Sequence, residues 1–144
     1  MTSPLLSYEY VALRCVPRVD RDEFINVGVV IHSPGDDFLE CAFTLDPSRL
    51  RAFSPHLDLA SVKAALETLC AICRGEQAPG RPTLDTLGQR FGWIVAPRST
   101  VVQPCPVHGG LTSDPAAELQ RLLTRLVGLP NPGPVATAKL GPYG

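Results

Sequence analysis

The sequence predicts an α+β domain with an antiparallel sheet and two main helices packed on one face of it. Three observations support this class. The first third of the chain carries β-branched and aromatic runs bounded by proline, glycine and aspartate. Two later segments place apolar residues at helical spacing. The order of strands, helix, strands and helix along the chain is typical of an α+β fold.

Three strands are predicted near the start of the chain, at 7–16, 24–32 and 38–45. The 24–32 run, F-I-N-V-G-V-V-I-H, is rich in β-branched residues and predicts a central strand. It is followed by S-P-G-D-D, where Pro34 presets φ and Gly35 can adopt a positive φ. The second and third strands are therefore expected to form a hairpin.

Capping residues and apolar periodicity define the first helices. A turn or short helix is expected from Asp46 to Phe53. A longer helix over 59–74 begins after the N-cap Asp58 and ends before Gly75. Its apolar residues recur at helical spacing and predict one buried stripe. They are Leu59, Val62, Leu66, Leu69 and Cys73.

The second half of the chain is predicted to hold a short helix over 84–91 and extended pieces at 93–95 and 100–102. The last helix has the clearest signals, because Asp114 is a natural N-cap and Pro115 suits the first helical position. Four leucines lie on one face of this helix, which ends at a glycine.

Composition indicates one globular domain with an appended tail. The 144 residues are 44% hydrophobic and 19% charged, enough to bury a core. The 15 prolines are about twice the usual share of roughly 5%. We expect a single domain over 1–128 and a flexible Pro/Gly-rich tail over 129–144.

Composition also limits the function classes. A formal net charge of -1 provides no global field toward nucleic acid or an anionic membrane. The N-terminus lacks the pattern of a secretory leader, and no run approaches the roughly 20 apolar residues of a spanning helix. Five cysteines, an odd number, fit reduced thiols, so we expect a cytoplasmic protein without membrane association. There is no P-loop or dinucleotide-binding fingerprint, and no cofactor is expected.

The stretch 96–111, A-P-R-S-T-V-V-Q-P-C-P-V-H-G-G-L, concentrates groups that can hold an anion. No acidic residue lies between Asp85 and Asp114, and three prolines stiffen the backbone. The guanidinium of Arg98 and the hydroxyls of Ser99 and Thr100, next to backbone N–H groups, suit an oxyanion or a phosphate. The alternative is that the arginine pairs with a surface carboxylate while the hydroxyls cap a strand. The candidate ligand-binding residues are Arg98, Ser99, Thr100, Gln103 and His108.

Two polar residues of the first strands join these candidates. Arg14 is surrounded by apolar neighbours, which favours a functional or ion-pair role. Asn26 lies inside the predicted central strand and is followed by Gly28, which allows another group to approach closely. A structural hydrogen bond across the sheet is the alternative for Asn26.

The cysteines leave two further possibilities open. Cys70-x-x-Cys73 and Cys105-x-x-His108 have the spacing of zinc ligands, and Cys105 with His108 resembles a nucleophile pair. However, Cys70 and Cys73 lie within a predicted amphipathic helix, where free cysteine packs as a small hydrophobe. The acidic residues are scattered without metal-ligand spacing, so no metal site is expected.

Two long motifs resemble those of a known family. They are Y-V-A-L-R-C-V-P-R-V-D-R-D-E-F-I-N-V-G-V-V over 10–30 and P-R-S-T-V-V-Q-P-C-P-V-H-G-G-L over 97–111. Both resemble signatures of the bacterial domain of unknown function family 3037, and the resemblance runs from about Ser7 to Val127. Cys105 stands where serine is expected in relatives. The matching residues are Arg14, Arg18, Glu23, Asn26, Gly28, Arg98, Ser99, Thr100, Gln103 and His108.

The resemblance implies a partner but no activity. The family has no established activity, and its genes are often associated with a gene for a HipA-like kinase. A kinase of this kind is therefore the protein partner that the resemblance implies.

The preferred hypothesis is a small binding or accessory module that recognises a partner protein or a phosphate-bearing ligand. It requires that the 96–111 stretch lies beside Arg14 and Asn26 and forms one polar site with them. One alternative is a phosphoester hydrolase or transferase with His108 as acid/base and Arg98 as anion clamp, which requires His108 to hydrogen-bond another polar group within a pocket. A second alternative is a nucleic-acid-binding protein with a basic face.

Overall fold

The computed structural model describes residues 3–98 and 100–128, with Val19 described by its backbone alone. It contains a five-stranded antiparallel sheet and four α-helices, which confirms the predicted α+β class. The strands are β1 (Leu6–Cys15), β2 (Ile25–Ser33), β3 (Phe38–Phe43), β4 (Val102–Pro104) and β5 (His108–Thr112). The helices are α1 (Pro47–Phe53), α2 (Leu59–Cys73), α3 (Leu87–Val95) and α4 (Pro115–Leu126). The tail predicted over 129–144 lies outside the described residues.

The long strand β1 organises the sheet. One edge of β1 pairs with β2, which in turn pairs with β3. The other edge of β1 is shared, because β4 pairs with Leu13–Cys15 and β5 pairs with Leu6–Tyr10. The 96–111 stretch therefore folds back along β1.

The β2–β3 hairpin is confirmed, but its turn uses a different residue. A short 3-10 turn, Pro34–Asp36, connects the two strands. The positive φ falls on Asp37, at 51°, and Gly35 does not adopt a positive φ. Aspartate tolerates the left-handed region because its short polar side chain can hydrogen-bond locally.

The helix caps follow the sequence closely. Asp58 accepts hydrogen bonds from the amides of Ala60 and Ser61 at the start of α2, and Gly75 has a φ of 74° after its end. Asp114 accepts from the amide of Ala117 at the start of α4. Each side-chain cap satisfies an amide of the first turn that has no partner within the helix.

The two main helices lie on opposite faces of the sheet, and not together on one face as the sequence predicted. Alternate residues of β2 separate the two cores: Val30 packs with α2, and Val29 and Ile31 pack with α4. Because consecutive strand residues point to opposite faces, both faces of the sheet are apolar and each requires a helix. α4 packs mainly along β2 and β3.

The helix α3 also differs from the prediction. Residues 93–95 belong to α3 and are not extended. Thr86 and Gln89 form a capping box that starts the helix three residues later than expected.

Candidate functional site

The structure brings three predicted site residues into one row across the sheet. Arg14 of β1 is in register with Asn26 of β2 on one side and with Gln103 of β4 on the other. Antiparallel register partners point to the same face of a sheet. This is the face that α4 covers, because the Asn26 amide donates to the carbonyl of Leu126 at 3.1 Å. We call Asn26, Arg14 and Gln103 the polar row.

Arg14 is the unusual member of the polar row. Its side chain is half-buried, and its Nε is fully buried with no hydrogen-bond partner. Among residues 3–98 and 100–128, Arg14 contacts the ring of Phe24, whose centroid lies 3.9 Å from the guanidinium carbon. A guanidinium nitrogen as buried as this Nε normally has a hydrogen-bond partner. The position therefore holds a positive charge whose donors remain available.

Unpartnered polar atoms cluster at this end of the sheet. Four buried side-chain polar atoms of the described residues lack a hydrogen-bond partner, and three of them belong to Arg14, Asn26 and Thr44. Asn26 and Thr44 line a cavity of about 10 Å³ beside the C-terminus of α4, close to the space of one water molecule. Buried polar atoms without partners are rare in folded proteins, so a group of three at one end of the sheet marks this region as a candidate site.

A second part of the same face carries an aromatic pair. His108 of β5 is in register with Tyr10 of β1, and their rings stack with centroids 5.4 Å apart. Tyr10 lies four residues from Arg14 on the same face, so the two are about 13 Å apart along β1. His108 is exposed, and the enzymatic alternative needed it hydrogen-bonded within a pocket. Its observed contact is ring stacking.

Arg98 has a different environment from the polar row. Its guanidinium stacks on Trp93 at 4.3 Å and donates to the carbonyl of Trp93 and, at 3.4 Å, to that of Ile94. It thereby satisfies carbonyls at the end of α3 that have no partner within the helix. Burial lowers the pKa of Arg98. Its Nε also donates to the carbonyl of Ala96, at 3.4 Å.

The side chains of Thr100 and Gln103 each hydrogen-bond a nearby backbone carbonyl. Thr100 is exposed, and its hydroxyl donates to the carbonyl of Val102 at 2.7 Å. Gln103 donates to the carbonyl of Thr100 at 2.9 Å, which orders the approach to β4. Ser99 lies outside the described residues.

The cysteines are all buried and have packing or backbone roles. Cys105 lies between β4 and β5, where its amide donates to the carbonyl of Ala12 at 2.9 Å and its Sγ accepts from the amide of Ala12 at 3.0 Å. The thiol thus completes the ladder where the two short strands meet. Cys70 and Cys73 belong to the buried side of α2, and burial raises the pKa of the Cys73 thiol well above its usual value. A thiol with a raised pKa is a poor nucleophile at neutral pH.

Three residues that lie beside the candidate residues were not predicted from the sequence. They are Tyr10, Phe24 and Thr44. One signal for Tyr10 was available, because Tyr10 and Arg14 are four residues apart in a strand and so share a face. Phe24 and Thr44 come near Arg14 and Asn26 only through strand pairing and the position of α4. No sequence pattern marks them.

The fold and the polar row together define a small α+β domain with a charged, half-buried arginine between two amide residues on the sheet face that α4 covers. Comparison with family models then identifies the family. Residues 10–127 match the model of the Protein of unknown function (DUF3037) family, so the chain belongs to that family. No curated protein and no solved structure matches the chain. Within the described residues, no helix is long and apolar enough to cross a membrane.

Proposed function

We propose that this protein is a small binding module that recognises an anionic group, a phosphate or a carboxylate, on a partner. The observation that carries the proposal is Arg14. Its guanidinium is half-buried, has neither a hydrogen bond nor an ion pair to any described residue, and lies between two amide side chains. A binding partner that supplies an anion would remove the cost of the unpaired charge.

The chemistry of the polar row suits such a group. A guanidinium presents donors in a planar fork that matches the oxygens of a phosphate or carboxylate. The guanidinium carbon of Arg14 lies over the ring of Phe24, 3.9 Å from its centroid, and this cation–π contact favours one position of the side chain. Asn26 and Gln103 lie on either side, and each amide nitrogen, which donates one hydrogen to a backbone carbonyl, has a second N–H for an anion. Partial burial strengthens each of these contacts, since the local dielectric is lower than in water.

The partner class in this proposal is another protein. A HipA-like kinase is the partner that the family resemblance implies, and a phosphate-bearing small molecule would use the same arginine. The open aromatic pair of Tyr10 and His108 extends the candidate surface toward β5. A surface with an aromatic and an arginine anchor is typical of protein interfaces.

The experiment is an NMR titration of the ¹⁵N-labelled protein with inorganic phosphate and, separately, with acetate. The side-chain amides of Asn26 and Gln103 give their own signals and report directly on the polar row. We expect saturable shifts of these signals with phosphate, acetate or both. Sodium chloride at matched ionic strength separates site binding from screening.

Two variants make the titration decisive. Arg14→Met keeps the apolar stem and removes the charge, and we expect it to abolish the saturable shifts. Arg18→Met is the matched control, because Arg18 is exposed and already pairs with Asp20 at 2.9 Å. Linear, unsaturated shifts in the wild-type protein, or unchanged binding by Arg14→Met, would rule out the proposed site.

A further inference from the structure

The outer edge of β5 is a second surface that the proposed function does not use. Across residues 3–98 and 100–128, β5 pairs with β1 and no strand pairs with its other edge. Exposed strand edges usually carry lysine or proline, which prevent unwanted pairing. Between Val107 and Thr112 there is no proline and no lysine, arginine, aspartate or glutamate.

The backbone orientation shows which residues form this edge. Ala12 directs both its amide and its carbonyl toward Cys105, on the β5 side of β1. Backbone groups alternate in direction along a strand, so Tyr10 and Tyr8 also face β5 and bond their register partners. Those partners are His108 and Gly110. Gly109 and Leu111 of β5 therefore direct their amides and carbonyls outward.

Exposed apolar side chains lie along the same edge. Leu111 of β5 is 64% exposed, and Val107, directly before β5, is 42% exposed. Leu5, directly before β1, is also 64% exposed. Three of the four exposed large hydrophobic residues of the described chain are thus found beside this edge. Such clustering marks an interaction surface.

We propose that the β5 edge binds the β5 edge of a second copy of this chain, forming a symmetric dimer with a continuous sheet. The pattern is self-complementary. An antiparallel pairing centred on Gly109 places Val107 opposite Leu111 of the second copy, and Leu111 opposite its Val107. Gly109 and Leu111 direct their backbone groups outward, so the central pair of Gly109 residues can form two hydrogen bonds. A two-fold interface requires this kind of self-matching surface.

Charge does not oppose the pairing. The carboxylate in register with Gly109 is that of Glu9, on β1. In the dimer, two copies of Glu9 would be three strand spacings apart, about 14 Å. This exceeds the Debye length of about 8 Å in physiological salt, so their repulsion is screened. A two-strand junction of this length buries little area, which predicts a concentration-dependent dimer.

Sedimentation velocity of the full chain over a range of concentrations tests the proposal. We expect a monomer–dimer equilibrium for the wild-type protein. Leu111→Lys places a charge on the edge and should shift the equilibrium to monomer. Gln120→Lys, on the exposed side of α4, makes the same change in charge and should leave the dimer intact. A wild-type protein that stays monomeric at every concentration would overturn the proposal.

Disulfide trapping tests the register independently. The two copies of residue 109 would have Cα atoms about 5.5 Å apart, within the range of a disulfide. Mild oxidation should therefore cross-link Gly109→Cys into a dimer. Leu111→Cys is the matched control, because its two copies are displaced by four residues and should not cross-link. The five native cysteines are buried, so they do not compete. Equal cross-linking of the two variants would contradict the register.

Discussion

Replacing Arg14 with methionine should stabilise the protein while removing its proposed ligand. Arg14 leaves a buried Nε without a partner, which costs about 1–3 kcal/mol of stability. Its contact with the ring of Phe24 recovers about 0.5–1 kcal/mol. Methionine retains an apolar stem of similar length and carries no donor. The net expectation is an increase of about 1 kcal/mol in the free energy of unfolding.

Urea denaturation followed by circular dichroism measures this change. With an m-value of about 1–3 kcal/mol/M, the midpoint should rise by roughly 0.5 M. Arg18→Met serves as the comparison, because an exposed ion pair contributes little and its loss should shift stability by less than about 0.5 kcal/mol. The m-value should be unchanged in both variants, which shows that the unfolded state is not altered.

A fall in stability would refute this reasoning. If Arg14→Met unfolds at lower urea than the wild type, Arg14 makes a stabilising interaction in the free protein and is not held ready for a ligand. If stability rises and anion binding disappears, Arg14 is a residue whose functional role opposes stability, as binding sites often require.

Three further predictions concern other parts of the fold. Gly110→Ala should destabilise the protein by about 1–3 kcal/mol in urea unfolding, because a Cβ there would lie 2.7 Å from the Tyr8 hydroxyl. Gly109→Ala should have little effect, since its nearest contact would be 3.4 Å. Burial lowers the pKa of His32 below 6.5, so its contribution to stability is complete above that pH and is lost as the pH falls toward the folded pKa. His32→Gln should flatten the thermal stability profile in that window, and an unchanged slope would exclude His32 as its cause. Cys105→Ser should fold with near wild-type stability, whereas Cys105→Ala should lose about 1–3 kcal/mol by leaving a β1 amide unpaired, as measured by urea midpoints.

The polar row and the β5 edge are adjacent but separable features. The first depends on a side-chain charge within the sheet face, and the second on backbone groups at the sheet margin. Arg14→Met should therefore leave dimerisation intact, and Leu111→Lys should leave anion binding intact. A dimer through β5 would bring two copies of the His108–Tyr10 pair near each other and enlarge the candidate surface.

Local chemistry by itself determined most of the helices and the first three strands. Asp58 and Asp114 cap their helices because a short acceptor side chain meets free amides wherever a helix begins. The β2–β3 hairpin follows from β-branched runs on either side of a turn sequence. The sequence also indicated that the 96–111 stretch would lie beside Arg14 and Asn26; the pairing of β4 and β5 with β1 brings Gln103 and His108 to the strand of Arg14, whereas Arg98 lies at the end of α3.

Tertiary structure decided the rest, for identifiable reasons. β5 was not predicted because Gly109 and Gly110 have weak strand propensity, and its extended form depends on pairing with β1. The two helices could not be assigned to faces, because β2 is apolar on both sides and its pattern does not say which helix covers which. Arg98 resembled an anion clamp in sequence, yet its donors reach carbonyls at the end of α3. Whether a guanidinium has a partner depends on which acceptors the fold places within hydrogen-bond distance. Arg98 reaches carbonyls at the end of α3 and acts as a helix cap, whereas the Nε of Arg14 reaches no acceptor, which leaves Arg14 as the candidate binding residue.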